Sequence, residues 1–340
     1  MVMNYWNLLR QTSRTFYLSI RSLPNQIGNS LCLAYLMLRV SDYLEDTRSL
    51  NPAEKVRLLR LWQQAIAVGL PSTELECSIR QVPSVGEDDY QAAIQANGIL
   101  QQLRELPEEL KHAISRHVGQ STNGMARWVS RGPRIDTESD MDDYMHEVAG
   151  RVGYLSTEVF AYHSAPVRAR LHRLMPLARD TGLALQTVNI IRGLRKDYER
   201  GWIYVPETFC REAGITREQL FDPLYRGEAL RVLQQLVAKA ERHLQAALGY
   251  VLLLPRSLYR IRLACIWPML LATRTVAISD GNPHVFSGDV KLSRDEVKRI
   301  LGLSTLFGWS NRWLEFYARR LRRPLTAARV TADQSLLLSP

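Results

Sequence analysis

Three acidic residues in one predicted helical turn are the first feature of this sequence that could perform chemistry. The stretch "YLMLRVSDYLEDT" brings Asp42, Glu45 and Asp46 together, and helical spacing puts Tyr35 and Arg39 on the stripe of the two aspartates. Carboxylates four residues apart repel each other, and a divalent cation removes that penalty. Mg²⁺ commonly binds through one or two carboxylates together with substrate phosphates. The stretch therefore predicts a metal–diphosphate site, with a solvated acidic helix end as the alternative.

A second polar stripe is predicted in an otherwise apolar helix further along the chain. In "LQTVNIIRGLRKDYERGWIYVP", Gln186, Asn189, Gly193 and Asp197 recur at steps of three and four. A helix that is apolar on nearly every side is buried, and its polar groups need partners. We expect the two polar stripes to face each other across one site. A purely structural hydrogen-bond network between the two helices is the alternative.

The elements that must carry these stripes are helices. Helical periodicity dominates the 340 residues and no run of alternating strand residues stands out, so an all-α bundle of about a dozen helices is predicted. The first helix is expected over 4–20, and the two stripes lie on helices expected over 28–48 and 167–198. The most apolar stretch, 261–278, is interrupted by two arginines and a proline. It is predicted to be a buried core helix rather than a membrane span.

Composition and charge restrict the classes of partner. The chain is 46% hydrophobic with a net charge of +10, which fits a globular protein that meets anionic ligands such as phosphorylated substrates. The arginines are scattered through periodic helices and form no basic tail, which argues against nucleic acid. The four cysteines are far apart and lack metal-ligand spacing, so neither a zinc site nor a disulfide framework is expected. This cysteine usage and the absence of a signal-peptide pattern indicate the cytoplasm.

Four ordered motifs resemble one protein family. The motifs "QTSRTFYLSIRSLP", "LAYLMLRVSDYLEDT", "YMHEVAGRVGYLSTEVF" and "LQTVNIIRGLRKDYERGWIYVP" are similar in order and spacing to the squalene/phytoene synthase family, over residues 4 to about 320. The resemblance implies a single all-α domain of the isoprenoid-synthase type with a central cavity, expected over 1–325, and a loose tail over 326–340. It also implies Mg²⁺-dependent, head-to-head joining of two isoprenyl diphosphates, with farnesyl diphosphate as the expected substrate, through a cyclopropylcarbinyl diphosphate.

The resemblance also implies roles for individual residues. Mg²⁺ would be held by the acidic residues Asp42, Glu45, Asp46 and Asp197. Substrate diphosphates would be contacted by Ser13, Arg14, Arg39, Gln186, Asn189 and Arg192, since the planar fork of arginine suits such contacts. Tyr35 and Tyr144 would line the cavity, where hydroxyls and ring faces could assist proton removal and shield carbocations. A packing role is the alternative for either tyrosine. Gly150 and Gly153 would thin a helix wall beside the prenyl chain, or else allow close helix packing.

A segment near the C-terminal end narrows the choice within the family. The stretch "IWPMLLATRTVAISDGNPHVFSGDVKLSRDEVKRIL" resembles the region that closes over NADPH in squalene synthases. Lys291 and Arg294 are predicted to meet the phosphates of that cofactor. The resemblance favours reduction to squalene over a phytoene-type product.

The second motif departs from the family pattern, which reads roughly Asp-x-x-Glu-Asp. This chain has Gly193 and Lys196 at the first two acidic positions and retains Asp197. Asp to Gly adds one positive unit and Glu to Lys adds two, so this site is three units less negative. Lys196 is predicted to contact a diphosphate directly, so that its ammonium group supplies part of the positive charge that a metal ion would supply. The alternative is that turnover has been lost or redirected. The hypothesis is a rewired but active site, with the product left open among squalene, dehydrosqualene, phytoene, presqualene diphosphate and a cyclised terpene.

The expected partners are therefore prenyl diphosphates, with no nucleic acid. Substrates with anionic heads and apolar tails, combined with a basic surface, indicate peripheral association with a membrane. The sequence leaves the oligomeric state open.

Overall fold

Helices make up the described part of the chain, as the sequence periodicity predicts. The computed structural model describes residues 5–83 and 89–323, and within these ranges it contains no strand, only an isolated bridge between Arg134 and Ile203. The described residues form more helices than the predicted dozen: Tyr5–Thr12 (α1), Arg14–Ser22 (α2), Asn25–Asp46 (α3), Pro52–Val68 (α4), Thr73–Gln81 (α5), Tyr90–Ala93 (α6), Ala96–Arg104 (α7), Glu108–Arg131 (α8), Glu138–Met145 (α9), Arg151–His163 (α10), Ala165–Arg168 (α11), Leu171–Glu199 (α12), Glu207–Glu212 (α13), Arg226–Leu253 (α14), Tyr259–Ser279 (α15), Arg294–Phe307 (α16) and Asn311–Leu321 (α17). The all-α fold class is confirmed.

Short irregular turns join some of these helices. A π-helical turn, His146–Gly150, connects α9 to α10, and 3₁₀ turns cover Glu218–Phe221, Pro223–Tyr225 and Pro283–Phe286. The predicted tail over 326–340 and the domain limit at residue 325 lie outside the described residues, so both stay predictions.

The single helix predicted over 4–20 is wrong, because the chain breaks at Ser13. The backbone of Ser13 is extended (φ −157°, ψ 117°), and its hydroxyl accepts a hydrogen bond from the Phe16 N–H at 3.2 Å. Serine is a favoured N-cap, since its side chain satisfies one of the unpaired N–H groups at the start of a helix. A capping serine therefore starts a new helix, α2, inside a stretch whose periodicity looks continuous.

Two long helices, α3 and α12, carry the two polar stripes. Helix α3 packs against α8, α4 and α1, while α12 packs against α14, α10 and α15. Their outward faces contribute fully buried side chains to one hydrophobic core, including Leu36 and Met37 of α3 and Leu183 of α12. Because the neighbouring helices cover these faces, the polar stripe of each helix is left to face inward.

The contact of α12 with α10 and with the π-helical turn before it requires glycine on both sides. A Cβ atom at Gly153 would lie 2.0 Å from the Ala178 carbonyl oxygen, and one at Gly182 would lie 2.2 Å from the Ala149 carbonyl oxygen. Gly150 also faces α12, with Leu183 Cδ1 3.1 Å from the position of an added Cβ. These glycines let the two segments approach backbone to backbone, and Gly153 and Gly182 line the central cavity at the same place. The close-packing interpretation holds for Gly153, which also lines the cavity, and the thinning of the helix wall beside a prenyl chain stays a prediction.

Helix α15 is a core helix, as predicted for 261–278. Its length and composition would allow it to cross a membrane, but 72% of its most apolar 18-residue window is buried inside the protein. Arg262, which is fully buried, donates hydrogen bonds of 2.7 Å to the carbonyl oxygens of Val251 and Leu254. These carbonyls lie at the C-terminal end of α14, where helix carbonyls lack partners within the helix. The arginine in this apolar stretch therefore caps a neighbouring helix.

We predict that Gly153→Ala lowers the free energy of unfolding by about 3 kcal/mol or more, because the atom that the new methyl meets is backbone and cannot move aside cheaply. Gly302→Ala is the matched control, since Gly302 also lies inside a helix but has no atom within 4 Å of an added Cβ. This control should stabilise the protein by up to about 1 kcal/mol. Urea unfolding followed by circular dichroism measures both changes. Equal stabilities of the two variants would contradict the close contact.

Candidate active site

A cavity of about 550 Å³ lies between α2, α3, α10, α12 and α15. Its α3 wall is a single helical stripe that begins with apolar side chains and ends with charged ones: Leu31, Ala34, Tyr35, Leu38, Arg39, Asp42, Glu45 and Asp46. Its α12 wall follows the same order: Ala178, Thr181, Gly182, Leu185, Gln186, Asn189, Ile190, Gly193, Lys196 and Asp197. Both walls thus change from apolar to charged toward their C-terminal ends. We call the region where these ends meet the charged end of the cavity.

The two polar stripes meet at the charged end, as the sequence predicts. Arg200, the residue after α12, places Nη1 3.1 Å from Asp46 Oδ2 on α3 and Nη2 2.5 Å from Asp197 Oδ1 on α12. The C-terminal ends of both helices also carry the negative ends of their dipoles, which favour cations. The charged end is therefore a site that attracts positive charge from two directions.

In the first acidic motif Glu45 is buried, Asp42 is half-buried and Asp46 is exposed, and their negative charge is only partly compensated. Arg39 Nη1 lies 3.2 Å from Asp42 Oδ2 and 3.1 Å from Asp89 Oδ2. Burial raises the pKa of Asp42 to about 7, against the opposing charge of Arg39, and the Asp89 and Asp46 carboxylates add to the rise. Burial likewise raises the pKa of Glu45 well above its ordinary value, with Asp46 and Asp42 as the next causes. Both carboxyls would be stabilised as anions by an added cation.

The donor set fits Mg²⁺ bound together with a diphosphate. Glu45 Oε1 is buried and has no hydrogen-bond partner in the described part of the chain. No group of three or more histidine, cysteine, aspartate or glutamate side chains converges on one point within the described residues. An ion here would therefore be held by one or two carboxylates and completed by phosphate oxygens and water, which is the usual coordination of Mg²⁺ in proteins.

The second motif contains one carboxylate with a fixed orientation. Asp197 lies back over Gly193, where an added Cβ would be 2.9 Å from Asp197 Oδ2. Burial raises the pKa of Asp197, and Arg200 opposes the rise. Lys196 is exposed and lines the cavity. The motif therefore presents a mixture of charges instead of a second acidic cluster.

Tyrosines border the charged end. The rings of Tyr144 and Tyr204 stack with centroids 4.7 Å apart, and both residues are buried. Burial, with Glu45 as the next cause, raises the pKa of each well above its ordinary value, so both hydroxyls stay protonated at neutral pH. Burial also raises the pKa of Tyr35, against the opposing effects of Arg39 and the nearby Ser13 hydroxyl. The Tyr35 hydroxyl itself has no partner at hydrogen-bond geometry in the described residues, so it can donate to a ligand.

Most of the predicted site residues line this cavity. They are Tyr35, Arg39, Asp42, Glu45, Asp46, Tyr144, Gln186, Asn189, Lys196 and Asp197. Ser13 caps α2 and lies outside the lining, although its hydroxyl is near Tyr35, and the side chain of Arg14 lies outside the described residues. Arg192 is half-buried and outside the lining; it lies roughly 100° around α12 from the centre of the polar stripe.

The two residues predicted to bind NADPH lie on the surface. Lys291 is 63% exposed and forms an ion pair of 2.5 Å with Asp289, and Arg294 is exposed at the start of α16. Neither lines the cavity. The preceding turn is nevertheless anchored near the second motif, since Phe286 meets Phe221 edge to face and Phe221 stacks on Tyr198 at 4.1 Å. The role of Lys291 and Arg294 in cofactor binding stays a prediction.

Three residues of the site were not assigned from the sequence. Asp89 immediately precedes α6 and pairs with Arg39, and Arg200 and Tyr204 follow α12. The sequence did offer a signal for Arg200, because it lies three residues after Asp197 in a cluster of basic residues. Asp89 carried no such signal, since an acidic residue in a loop is usually solvated.

We predict that the stability of the ligand-free protein falls with rising pH because of Asp42. Its pKa is about 7 in the folded protein and 3.8 in the unfolded chain, so the folded state binds this proton more tightly. The resulting stabilisation is complete below pH 3.8 and is lost as pH rises through about 7. Between about pH 5 and pH 8 the loss should be about 1–3 kcal/mol.

The measurement is urea unfolding in EDTA at both pH values. Asp42→Asn should flatten the decline, whereas the control Asp295→Asn, at a 94%-exposed position, should leave it unchanged. A decline that is equally steep in wild type and Asp42→Asn would rule out this origin.

Comparisons with known proteins agree with the fold and with the motifs. The family model for squalene/phytoene synthase matches residues 9–296. A squalene synthase from Schizosaccharomyces pombe is 28% identical over 301 residues, which cover 87% of this chain and 63% of that protein. The chain thus spans less than two-thirds of the length of this relative.

Solved structures share the fold. The structure of TcSQS with the ligand BPH1237 matches with a TM-score of 0.82 and 24% identity, covering 95% of this chain and 92% of that one. A crystal structure of a dehydrosqualene synthase in complex with ligand matches with a TM-score of 0.64 and 19% identity, covering 88% and 93%. At these identities the likeness establishes the helical fold.

Proposed function

Because the chain belongs to the squalene/phytoene synthase family, we propose that it is a Mg²⁺-dependent prenyltransferase that joins two farnesyl diphosphates head to head. The product of this first step is presqualene diphosphate, which NADPH then reduces to squalene. The observation that carries the proposal is the cavity whose two long walls both change from apolar to charged at the same end. Such a cavity matches a substrate with an apolar tail and an anionic head.

The charged end suits the departure of diphosphate. When bound, Mg²⁺ supplies positive charge that neutralises the leaving diphosphate. Arg39 and Lys196 line the same region and can contact phosphate oxygens, the arginine through its planar fork. Burial and neighbouring carboxylates make the negative charges of Asp42 and Glu45 unfavourable unless a cation is bound. A bound cation also attracts diphosphate, so binding of the metal and binding of the diphosphate should strengthen each other.

The apolar part of the cavity suits the prenyl chain. From Leu31 to Asp42 the α3 wall runs about 16 Å, and aliphatic and aromatic side chains from α2, α10 and α15 surround it. These side chains exclude water, which would otherwise quench a carbocation. Near the charged end, one face of Tyr35 is covered by the Arg39 guanidinium at 4.9 Å, and one face of Tyr144 is covered by the Tyr204 ring at 4.7 Å. The opposite faces of these rings would stabilise positive charge.

One alternative product is favoured by a specific observation. The second motif has one carboxylate in place of an acidic cluster, and this carboxylate is already paired with Arg200. A weaker metal site here would slow the loss of diphosphate from presqualene diphosphate and favour release of this intermediate. A homologue that binds prenyl diphosphates without turnover is the limiting case.

We predict that the protein incubated with farnesyl diphosphate, Mg²⁺ and NADPH yields squalene, and that presqualene diphosphate accumulates without NADPH. Gas and liquid chromatography with mass spectrometry identifies both compounds, and pyrophosphate release gives the rate. Asp42→Asn should lower the rate by about 100-fold or more, because the cation loses a carboxylate that stabilises the transition state. Binding of farnesyl diphosphate without any pyrophosphate release would refute the proposed enzymatic activity and would support a homologue that only binds prenyl diphosphates.

Peripheral membrane association forms a second part of the proposal. An exposed apolar surface follows α16 and α17, with Leu306, Phe307, Trp309 and Phe316 between 45% and 66% exposed. On α17, Phe316 lies between exposed arginines at 319 and 320 and a further arginine at 312. Aromatic side chains surrounded by arginine complement a bilayer with anionic headgroups, where substrates and products with apolar tails also reside. We name Leu306, Phe307, Trp309 and Phe316 the α16–α17 patch.

We predict that the protein sediments with vesicles of phosphatidylcholine and phosphatidylserine but much less with phosphatidylcholine alone. Trp309→Ser combined with Phe316→Ser should reduce binding by about tenfold or more, since two exposed aromatic side chains no longer insert into the bilayer. Leu224→Ser is the matched control, because Leu224 is 87% exposed on the 3₁₀ turn Pro223–Tyr225, outside α16 and α17. Equal binding of both variants would contradict a role of the α16–α17 patch.

A further inference from the structure

One guanidinium group joins the two motifs at the charged end of the cavity. Arg200 contacts Asp46 of the first motif through Nη1 and Asp197 of the second through Nη2. Its side chain is only 19% exposed, and its Nε is buried without a hydrogen-bond partner in the described residues. The charge of Arg200 therefore lies between the carboxylates, at the place where a bridging cation would be attracted.

The backbone fixes Arg200 in this position. Its N–H donates to the carbonyl oxygens of Lys196 and Asp197 at 3.2 and 3.0 Å, and Gly201 then turns the chain with a φ of 80°. The Trp202 N–H returns to the Asp197 carbonyl oxygen at 2.9 Å. The fixed backbone sets where the side chain starts, and the planar guanidinium is pre-organised to bind two carboxylates.

The two motifs differ in the charge that they supply at equivalent helical spacing. On α3, positions separated by three and then one residue hold Asp42, Glu45 and Asp46, whereas the same spacing on α12 gives a glycine, a lysine and an aspartate. The second motif thus has a neutral and a basic residue in place of two carboxylates, and Arg200 adds another positive charge beside it. The net negative charge of the first motif favours a divalent ion held by one or two of its carboxylates, whereas a single carboxylate with two basic groups does not.

Residue 193 is linked to this arrangement by packing. An added Cβ at Gly193 would lie 2.9 Å from Asp197 Oδ2, so any larger side chain must displace that carboxylate. The other oxygen, Oδ1, is the one that binds Arg200. The absence of a side chain at 193 is therefore what allows Asp197 to lie along the helix and meet the arginine.

We propose that Arg200 is a resident cation that takes the place of one divalent ion between the two motifs and, with Lys196, receives a substrate diphosphate directly. This rests on the proposed function insofar as the ligand is a diphosphate. Arginine suits the role, because its guanidinium has five N–H donors, stays charged at all relevant pH values and binds phosphate oxygens with two parallel bonds. A chelator cannot remove such a cation. The second motif should therefore retain affinity for pyrophosphate when no metal is present.

The first experiment measures metal-free binding of inorganic pyrophosphate to the full chain by calorimetry in EDTA. Wild type should bind, and Arg200→Gln should bind about tenfold more weakly or worse, because the charge facing the phosphate oxygens is lost. Arg200→Lys keeps the charge without the fork and should fall between the two. Arg195→Gln is the matched control: Arg195 is on the same helix and pairs with Glu199 at 2.7 Å, but it does not line the cavity.

The second experiment counts bound Mn²⁺ by electron paramagnetic resonance at saturating pyrophosphate. Arg200→Gln should bind one more Mn²⁺ per chain than wild type, since Asp46 and Asp197 become available to a metal. Arg200→Lys and Arg195→Gln should keep the wild-type number. Circular dichroism and thermal unfolding establish that each variant is folded, and Arg200→Lys preserves the test if Arg200→Gln unfolds, since it should still weaken metal-free binding.

Either of two results would overturn the proposal. One is pyrophosphate binding in EDTA that does not differ between wild type and the Arg200 variants. The other is an unchanged Mn²⁺ number in folded Arg200→Gln. Neither measurement requires turnover, so a failure of the proposed condensation reaction would appear separately, as missing product in a protein that still binds pyrophosphate as described.

Discussion

The constraint on which the site depends is the concentration of negative charge at the C-terminal ends of two long helices. Asp42, Glu45 and Asp46 end α3, Asp197 lies near the end of α12, and the dipoles of both helices add to the same sign. Opposite charges in contact near a protein surface gain about 4 kcal/mol at an effective dielectric constant of about 20, before desolvation is counted. Two arginines, Arg39 and Arg200, supply this compensation in the absence of ligand, each by joining two carboxylates.

The neighbouring helices hold the two cavity walls, α3 and α12, apart along their apolar parts and close together at their charged ends. Each wall is a single helical face that is continuous from its apolar to its charged part, so the distance between head and tail sites is set by the rise of one helix. The glycine contact brings the backbone of α12 against α10 and the π-helical turn, and Gly153 and Gly182 at this contact also line the cavity. Buried arginines such as Arg262 tie the outer helices by capping their carbonyls.

The sequence predicts those features of the site that depend on one helix at a time. Residues three and four apart must share a face, so helical geometry alone assigns the stripe of Asp42 with Asp46 and the stripe that ends at Asp197. The positions of Asp89 and Tyr204 do not follow from this rule. Both residues lie outside α3 and α12, and their positions depend on how other helices pack. The break at Ser13 was missed for a related reason: a cap is a local hydrogen bond that hydrophobic periodicity does not report.

Gly193 and Lys196, the two positions at which the second motif differs from the family pattern, act together and are not separate losses of acidic residues. Removing a carboxylate at 193 gives Asp197 the space in which it lies, and that position brings its Oδ1 to Arg200. Placing lysine at 196 adds positive charge to the cavity wall on the same stripe. An acidic side chain restored at 193 alone would displace Asp197 from Arg200 and leave an arginine among carboxylates of altered geometry. Residues 193, 196, 197 and 200 therefore form one electrostatic unit, in which the effect of changing any member depends on the other three.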